Sequence, residues 1–168
     1  FTLSGSGTQT LDTPSNVFNT LNPLNTPPGA NAFNLSNGNT TMGDNGSGDN
    51  DLGMTGTLGM AAGKWYWEVK AVNAGETLCI VDSTARIVAS ATAGSPNAGF
   101  WGVGSNGSVS SINTFNNGTF GNSHTLQGHD NNDIVMFALD IDNGKFFYGR
   151  NGSWLGLDGN AADPAAGT

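Results

Sequence analysis

The alternation of apolar and polar positions is sharpest over residues 64–72, where Trp65, Trp67, Val69 and Ala71 fall on one side of an extended chain and Tyr66, Glu68 and Lys70 on the other. Successive side chains of a strand point to opposite faces, so this run predicts a strand with one face toward a core, and its large aromatics are expected inside. Residues 133–142, "DIVMFALDID", are apolar on both faces and predict a strand in the middle of a sandwich. Asn143-Gly144 predicts a turn into residues 145–149, and Asn151-Gly152 a second turn before Trp154. Asn and Gly both reach the positive φ angles that tight hairpin turns need, and two such turns so close predict a meander.

Similar punctuation runs through the rest of the chain. Residues 32–35 and 39–42 flank Asn37-Gly38 and predict another hairpin. A polar loop at 44–51 leads to residues 52–60, where the even spacing of Leu52, Met54, Leu58 and Met60 favours a strand. Short apolar runs at 77–81 and 86–89, around an Asp82-Ser83 turn, and the glycine-flanked "GFWGVG" at 99–104 predict three more. Residues 105–132 form a long turn-rich region with one short strand marked by Val109, Ile112 and Phe115. Pro14, Pro23, Pro27 and Pro28 exclude a central strand or a helix over 12–29 and leave an extended, turning path that Phe18, Leu21 and Leu24 can pin to a core. Residues 1–11 read as a linker or an entering edge strand. Six Asn-Gly dipeptides recur without a fixed period, which argues against a propeller or solenoid. The expected fold class is all-β: an antiparallel two-sheet β-sandwich or jelly roll.

Composition narrows the classes of function. At 168 residues the chain has the size of one domain able to bury its own core. Thirteen acids against five bases give a formal net charge of −8, the wrong sign for the phosphate-neutralising surface of a nucleic-acid binder and unfavourable for an anionic membrane. No run of ~18 apolar residues is present to span a bilayer as a helix. A low charge fraction with abundant Asn, Ser, Thr and Gly is common on virion and extracellular surfaces. Cys79 is the single cysteine, so no disulfide forms within the chain, and its neighbours Leu78, Ile80 and Val81 make it a small buried hydrophobe. Phe1 is not an initiator methionine and no signal-peptide pattern precedes the first strand-like residues, so the chain can be read as a fragment.

Candidate chemistry is sparse. Glu68 sits between aromatics, where a buried carboxylate could serve as a general acid, but no second acid lies on its strand face to complete a hydrolytic pair. A structural role, accepting hydrogen bonds or pairing with Lys or Arg, is expected instead. Asp140 and Asp142 alternate, but Asp142 begins the Asn-Gly turn, where Asp is a common turn former. His124 and His129, five apart in a polar loop without cysteines, make a poor metal signature and are expected in solvent. Asp44, Asp49 and Asp51 give their loop a faint calcium-loop texture without the full ligand spacing, so no metal is expected. Six Asn-x-Ser/Thr sequons, at Asn34, Asn39, Asn45, Asn106, Asn117 and Asn151, are close to what so Asn- and Ser-rich a chain yields by chance and read as turn chemistry. Trp101 and Trp154 flank loops, where a ring can stack on a sugar or anchor a protein contact, although core packing is the commoner fate of such side chains. The binding candidates are Asn106, Ser108, His124, His129 and Trp154, which fall in or beside the longest polar loops, where sequence can vary without touching the core.

Three blocks carry a family likeness: "GKWYWEVKA" (63–71), "FWGVGSNG" (100–107) and "DIVMFALDIDNGKFFYGRNGSW" (133–154). In this order they resemble the SPRY family, the first its Gly-x-x-Tyr/Trp-Trp-Glu-Val strand, the second its Gly-Val segment and the third its Leu-Asp, Gly, Phe-x-x-Asn-Gly hairpin. The opening "DTPSNVFNTLNPL" (12–24) resembles SPRY modules of tailed-bacteriophage proteins. The resemblance spans residues 12–154 and implies a concanavalin A-like β-sandwich over 12–168, without catalytic residues or cofactor, whose loops at one rim meet a protein or glycan. Family members continue into closing strands, so here a last strand is either missing or supplied by another subunit.

The expectation that follows is a non-enzymatic structural or binding module of a virion or extracellular appendage such as a fibre, tail or surface decoration. It would act in a homo-oligomer or polymer, in particle assembly or host-surface recognition. The alternative is an intracellular SPRY adaptor that binds a short peptide. A carbohydrate-active enzyme is a third reading, disfavoured by the lack of paired acids.

Overall fold

The computed structural model describes residues 18–25, 34–43, 54–72, 77–81, 100–105, 111–116, 119–125, 128–156 and 161–167. Regular structure among them is strand only: β1 (Asn34–Ser36), β2 (Thr41–Gly43), β3 (Lys64–Lys70), β4 (Thr77–Val81), β5 (Phe100–Ser105), β6 (Ser111–Asn116), β7 (Thr119–Thr125), β8 (Ile134–Asp140), β9 (Lys145–Arg150) and β10 (Ser153–Leu155). Every pairing is antiparallel, and the all-β class expected of the sequence is observed. The chain divides into two compact units, Phe1–Gly59 with Arg86–Thr92, and Met60–Ala85 with Ala93–Thr168.

In the first unit β1 and β2 form the hairpin expected around Asn37-Gly38, but Ser36 pairs with Thr41, so the loop has four residues rather than two. Asn37, Gly38 and Asn39 all take positive φ, and the Thr40 hydroxyl donates to the Asn37 carbonyl. Residues 54–60 are not the strand their spacing suggested. They make a single bridge, Gly56 to Leu21, flanked by the Asn22 N–H to Thr55 O and Thr57 N–H to Thr20 O bonds (2.8 Å each), and the Asn19 side-chain oxygen, which also accepts from Thr57, takes the Leu58 N–H at 3.0 Å. Nor do Phe18 and Leu24 pin this path to a core: Phe18 is exposed, and Leu24, in the turn after Pro23, is 93% exposed.

The second unit holds two four-stranded sheets, ordered β10-β9-β8-β3 and β4-β5-β6-β7. The latter corrects the reading of residues 105–132, where one short strand was expected and two, β6 and β7, form a hairpin with an irregularity between Asn113 and Phe115. Polar "TFGNSHT" shows no alternation, so nothing in its pattern announced β7. Residues 86–89 and the Asn106-Gly107 and Asn117-Gly118 dipeptides lie outside the described residues.

The β10-β9-β8-β3 sheet is the meander the turns predicted. Central β8 pairs with β3 and β9 along its length, and Trp67, Phe137 and Tyr148 fall in one cross-strand row. Phe137 stacks on Trp67 at 5.3 Å between ring centroids and on Phe146 at 5.4 Å, and Tyr148 tilts against it at 6.0 Å. With Ala71, Val69, Val135 and Leu155 these rings make the hydrophobic core of the described residues. Trp65 shares their face but not their burial. It stands near the start of β3, 40% exposed, with its indole N–H donating to the Ala62 carbonyl. Alternation assigns a face, not a depth along it.

The turns are built as their residues require. Arg150 pairs with Ser153, leaving Asn151 (φ 48°) and Gly152 (φ 84°) as a two-residue turn of the type with both central φ positive. Between β8 and β9 the loop has four residues, with Asp140 accepting the backbone N–H of Asn143 at 3.1 Å and its side-chain amide at 2.9 Å.

Candidate binding face

The opposite face of the meander has a different construction. Register places Lys64, Tyr66 and Glu68 of β3, Met136, Ala138 and Asp140 of β8, Lys145, Phe147 and Gly149 of β9, and Trp154 of β10 on this side. On the two central strands the smallest side chains of the set, Ala138 and Gly149, sit diagonally beside the larger Phe147 and Met136. A Cβ at position 149 would lie 2.8 Å from the Ser153 carbonyl oxygen and 2.9 Å from Cε3 of Trp154, so only glycine lets the indole settle over β9. From there Trp154 meets Tyr66 edge to face, with centroids 6.1 Å apart and planes at 73°. The two residues come from opposite edges of the sheet, about 14 Å apart at the usual strand spacing. The small Ala138 and Gly149 on the strands between them leave room for the two rings to meet.

Tyr66 is 54% exposed, and its hydroxyl donates to Oε1 of Glu68, two residues along the same strand face. This hydrogen bond, with burial and the carboxylate's negative charge behind it, pushes the Tyr66 hydroxyl up to about 12. Beside Tyr66 lies a shallow depression of about 250 Å³, lined by Lys64, Tyr66, Ala138, Asp140 and Phe147 and closed on one side by Pro164 and Ala165. The Lys145 ammonium donates to the Gly167 carbonyl and ties that C-terminal segment down. At the rim Lys64 and Asp140 form an ion pair of 3.5 Å, with the lysine largely in solvent. Hydrogen bonds from the Asn143 side chain hold the Asp140 carboxyl below the usual carboxylate range against the pull of burial, with help from the Asn143 N–H and from Lys64.

The candidates picked from the sequence are scattered by the fold. Trp154 falls on this face, half-buried against Tyr66. His124 is not in a loop: it lies in β7, paired with Ile112. His129 is not in solvent either. It is fully buried, with Nδ1 3.4 Å from the Tyr148 hydroxyl, within the loop that leads into β8 and folds against Ala71 and Arg150. That loop is tied by Ala71 N–H to Asp133 O (3.0 Å), Asn132 N–H to Ala71 O (2.6 Å) and the Arg150 guanidinium to Gly128 O. Asn106, Ser108 and the calcium-loop acids Asp44, Asp49 and Asp51 lie outside the described residues. Among the described residues no group of three His, Cys, Asp or Glu side chains is placed to hold a metal ion, and no helix is long and apolar enough to cross a membrane.

Sequence reasoning missed Tyr66, Glu68, Phe147 and the Ala138 and Gly149 floor as a site. The signal is present in the alternation of β3, which puts Tyr66 and Glu68 on the side opposite Trp65 and Trp67, but the pattern of one strand does not tell which residues of β8, β9 and β10 share that side. The acids of the meander are engaged: Glu68 by Tyr66, Asp140 by Asn143 and Lys64, Asp142 by the Gly63 N–H at 3.1 Å, and Asp133 by the Asp130 N–H at 2.8 Å and the Asn151 amide at 2.7 Å. No protein-family model and no curated protein matches this chain.

Proposed function

We propose that the chain is a non-catalytic binding module, a SPRY-like two-sheet β-sandwich, carried on a virion or extracellular appendage and serving assembly or recognition of a host surface. The observation that carries this reading is the Tyr66–Trp154 pair, which holds aromatic surface toward solvent on a sheet whose other face is a stacked aromatic core. Rings held in this way are typical anchors of recognition, because they give large contact area with few rotatable bonds. Two further features support it. The acids described on the meander are held in hydrogen bonds and ion pairs, which suits a scaffold better than a proton-transfer centre, and the charge of −8 with few charged residues suits an exposed particle surface.

The test is to incubate the fluorescently labelled chain with intact bacterial and animal cells, and to image the purified chain by negative-stain electron microscopy. Saturable retention on one class of intact cell, or a regular self-assembled array, is expected. A chain that does neither and instead binds defined intracellular peptides would overturn this reading in favour of an adaptor.

A further inference from the structure

We infer that the depression beside Tyr66 is a subsite for one ring of a neutral saccharide. The inference rests on the binding-module reading and deepens it by naming the ligand class. A pyranose ring has an apolar face of C–H groups and a periphery of hydroxyls, so its site needs an aromatic plane, a low apolar floor and polar groups around the edge. All three are here: the exposed Tyr66 ring with Phe147, the Ala138 floor, and the Lys64–Asp140 pair at the rim, with the Glu68 carboxylate held next to the depression by the Tyr66 hydroxyl. Glu68 is oriented by the Tyr66 hydroxyl through one oxygen, and a carboxylate has acceptor capacity beyond one bond, which suits a pair of sugar hydroxyls.

Charge and size narrow the occupant. Lys64 is already paired with Asp140, Lys145 is bound to Gly167, and the chain carries −8 overall, so an acidic sugar would meet repulsion without a dedicated cation. A volume of about 250 Å³ is below the range of pockets that swallow a drug-sized molecule and suits a single ring of a longer chain passing over the face. Peptide recognition by strand addition would use a sheet edge, whereas the floor of this depression is Ala138 of β8, a strand whose backbone is paired on both sides with β3 and β9, so that side chains are what it offers.

The experiment is calorimetric titration of the full chain with neutral oligosaccharides built from glucose, galactose, mannose or N-acetylglucosamine, alongside polygalacturonate and sialylated oligosaccharides. Binding to at least one neutral series is expected. Tyr66→Ala should weaken it by about tenfold or more, and Tyr66→Phe, which keeps the ring and loses the bond to Glu68, by a smaller factor. Near-ultraviolet circular dichroism checks that each variant is folded, and Glu68→Gln, which removes no packing, gives a second reading of the same site. Three results would overturn the inference: no binding by the folded chain, binding only to the acidic sugars, or neutral-sugar binding unmoved by Tyr66→Ala and Glu68→Gln. Retention on intact cells that survives periodate oxidation of their glycans would sink the saccharide while leaving the surface-binding reading intact.

Discussion

The two faces of the β10-β9-β8-β3 sheet are made from the same strands in the same register, yet they distribute bulk in opposite ways. On the inner face the largest side chains meet in the middle, Phe137 against Trp67, Phe146 and Tyr148. On the outer face the central strands set the small Ala138 and Gly149 beside Met136 and Phe147, and Tyr66 and Trp154 rise from the two edge strands. A bulky centre excludes water and stabilises the fold, whereas rings raised from the edges leave surface available to something else. Position within a sheet, more than residue type, decides whether an aromatic side chain is spent on stability.

The comparison predicts unequal costs for substitutions on neighbouring residues. The largest effect is expected from Phe137→Ala, which removes the ring shared by three aromatic contacts and should destabilise the fold by about 3–5 kcal/mol in chemical denaturation. Tyr66→Ala, on the outer face, should cost no more than about 0.5 kcal/mol, the scale of a surface change. Equal costs would erase the distinction between the faces. Next comes Gly149→Ala. Its added methyl meets the Ser153 carbonyl and Trp154 together, so a loss of about 1–3 kcal/mol is expected, with a shift in tryptophan emission as the indole leaves the floor.

Smaller effects follow from titration. Asp133 is held below the usual carboxylate value of 3.8: burial pulls it upward, but the Asp130 N–H, the Asn151 amide and the Arg150 charge outweigh that pull. Asp140 is lowered as well. Groups that bind protons more weakly when folded add stability that is complete above the ordinary carboxylate range and is lost as pH falls through it toward their folded values. Denaturation midpoints should therefore decline on acidification below about pH 5, and Asp133→Asn should flatten that decline. The smallest change leaves stability almost untouched. One of the two tyrosines should ionise only near pH 12 in an ultraviolet titration, and Glu68→Gln should bring it back toward 10. If Tyr66 in the folded wild-type chain titrates near 10, the Tyr66–Glu68 bond does not form in solution.

Much of the meander was legible because its signals are local. Alternation marked the core side of β3, double-sided apolarity marked β8 as central, and Asn151-Gly152 marked a turn that demands two positive φ angles. What was not legible depended on contacts between distant parts of the chain. His129 sits in a polar stretch and reads as solvated, but Ala71 and Arg150 draw its loop inward. Trp65 reads as core by period, but it stands at the end of a strand where the packed rows run out. The depth of the outer face comes from small residues on two strands and a ring from a third, a juxtaposition that no single segment encodes.

Asn151 carries more than its turn. Its side-chain oxygen accepts the Ile134 N–H at 2.9 Å, and its amide nitrogen donates to Asp133 at 2.7 Å. Asn followed by Gly is the pair most prone to slow deamidation, because the glycine N–H can reach the amide carbon unhindered. Here that amide is clasped at both ends, which should slow the reaction. Once it occurred, the product would set two carboxylates against each other where one donor and one acceptor now meet. The age of a preparation would then be written in the strength of this one corner, and samples of the protein would weaken with storage before any chain was cut.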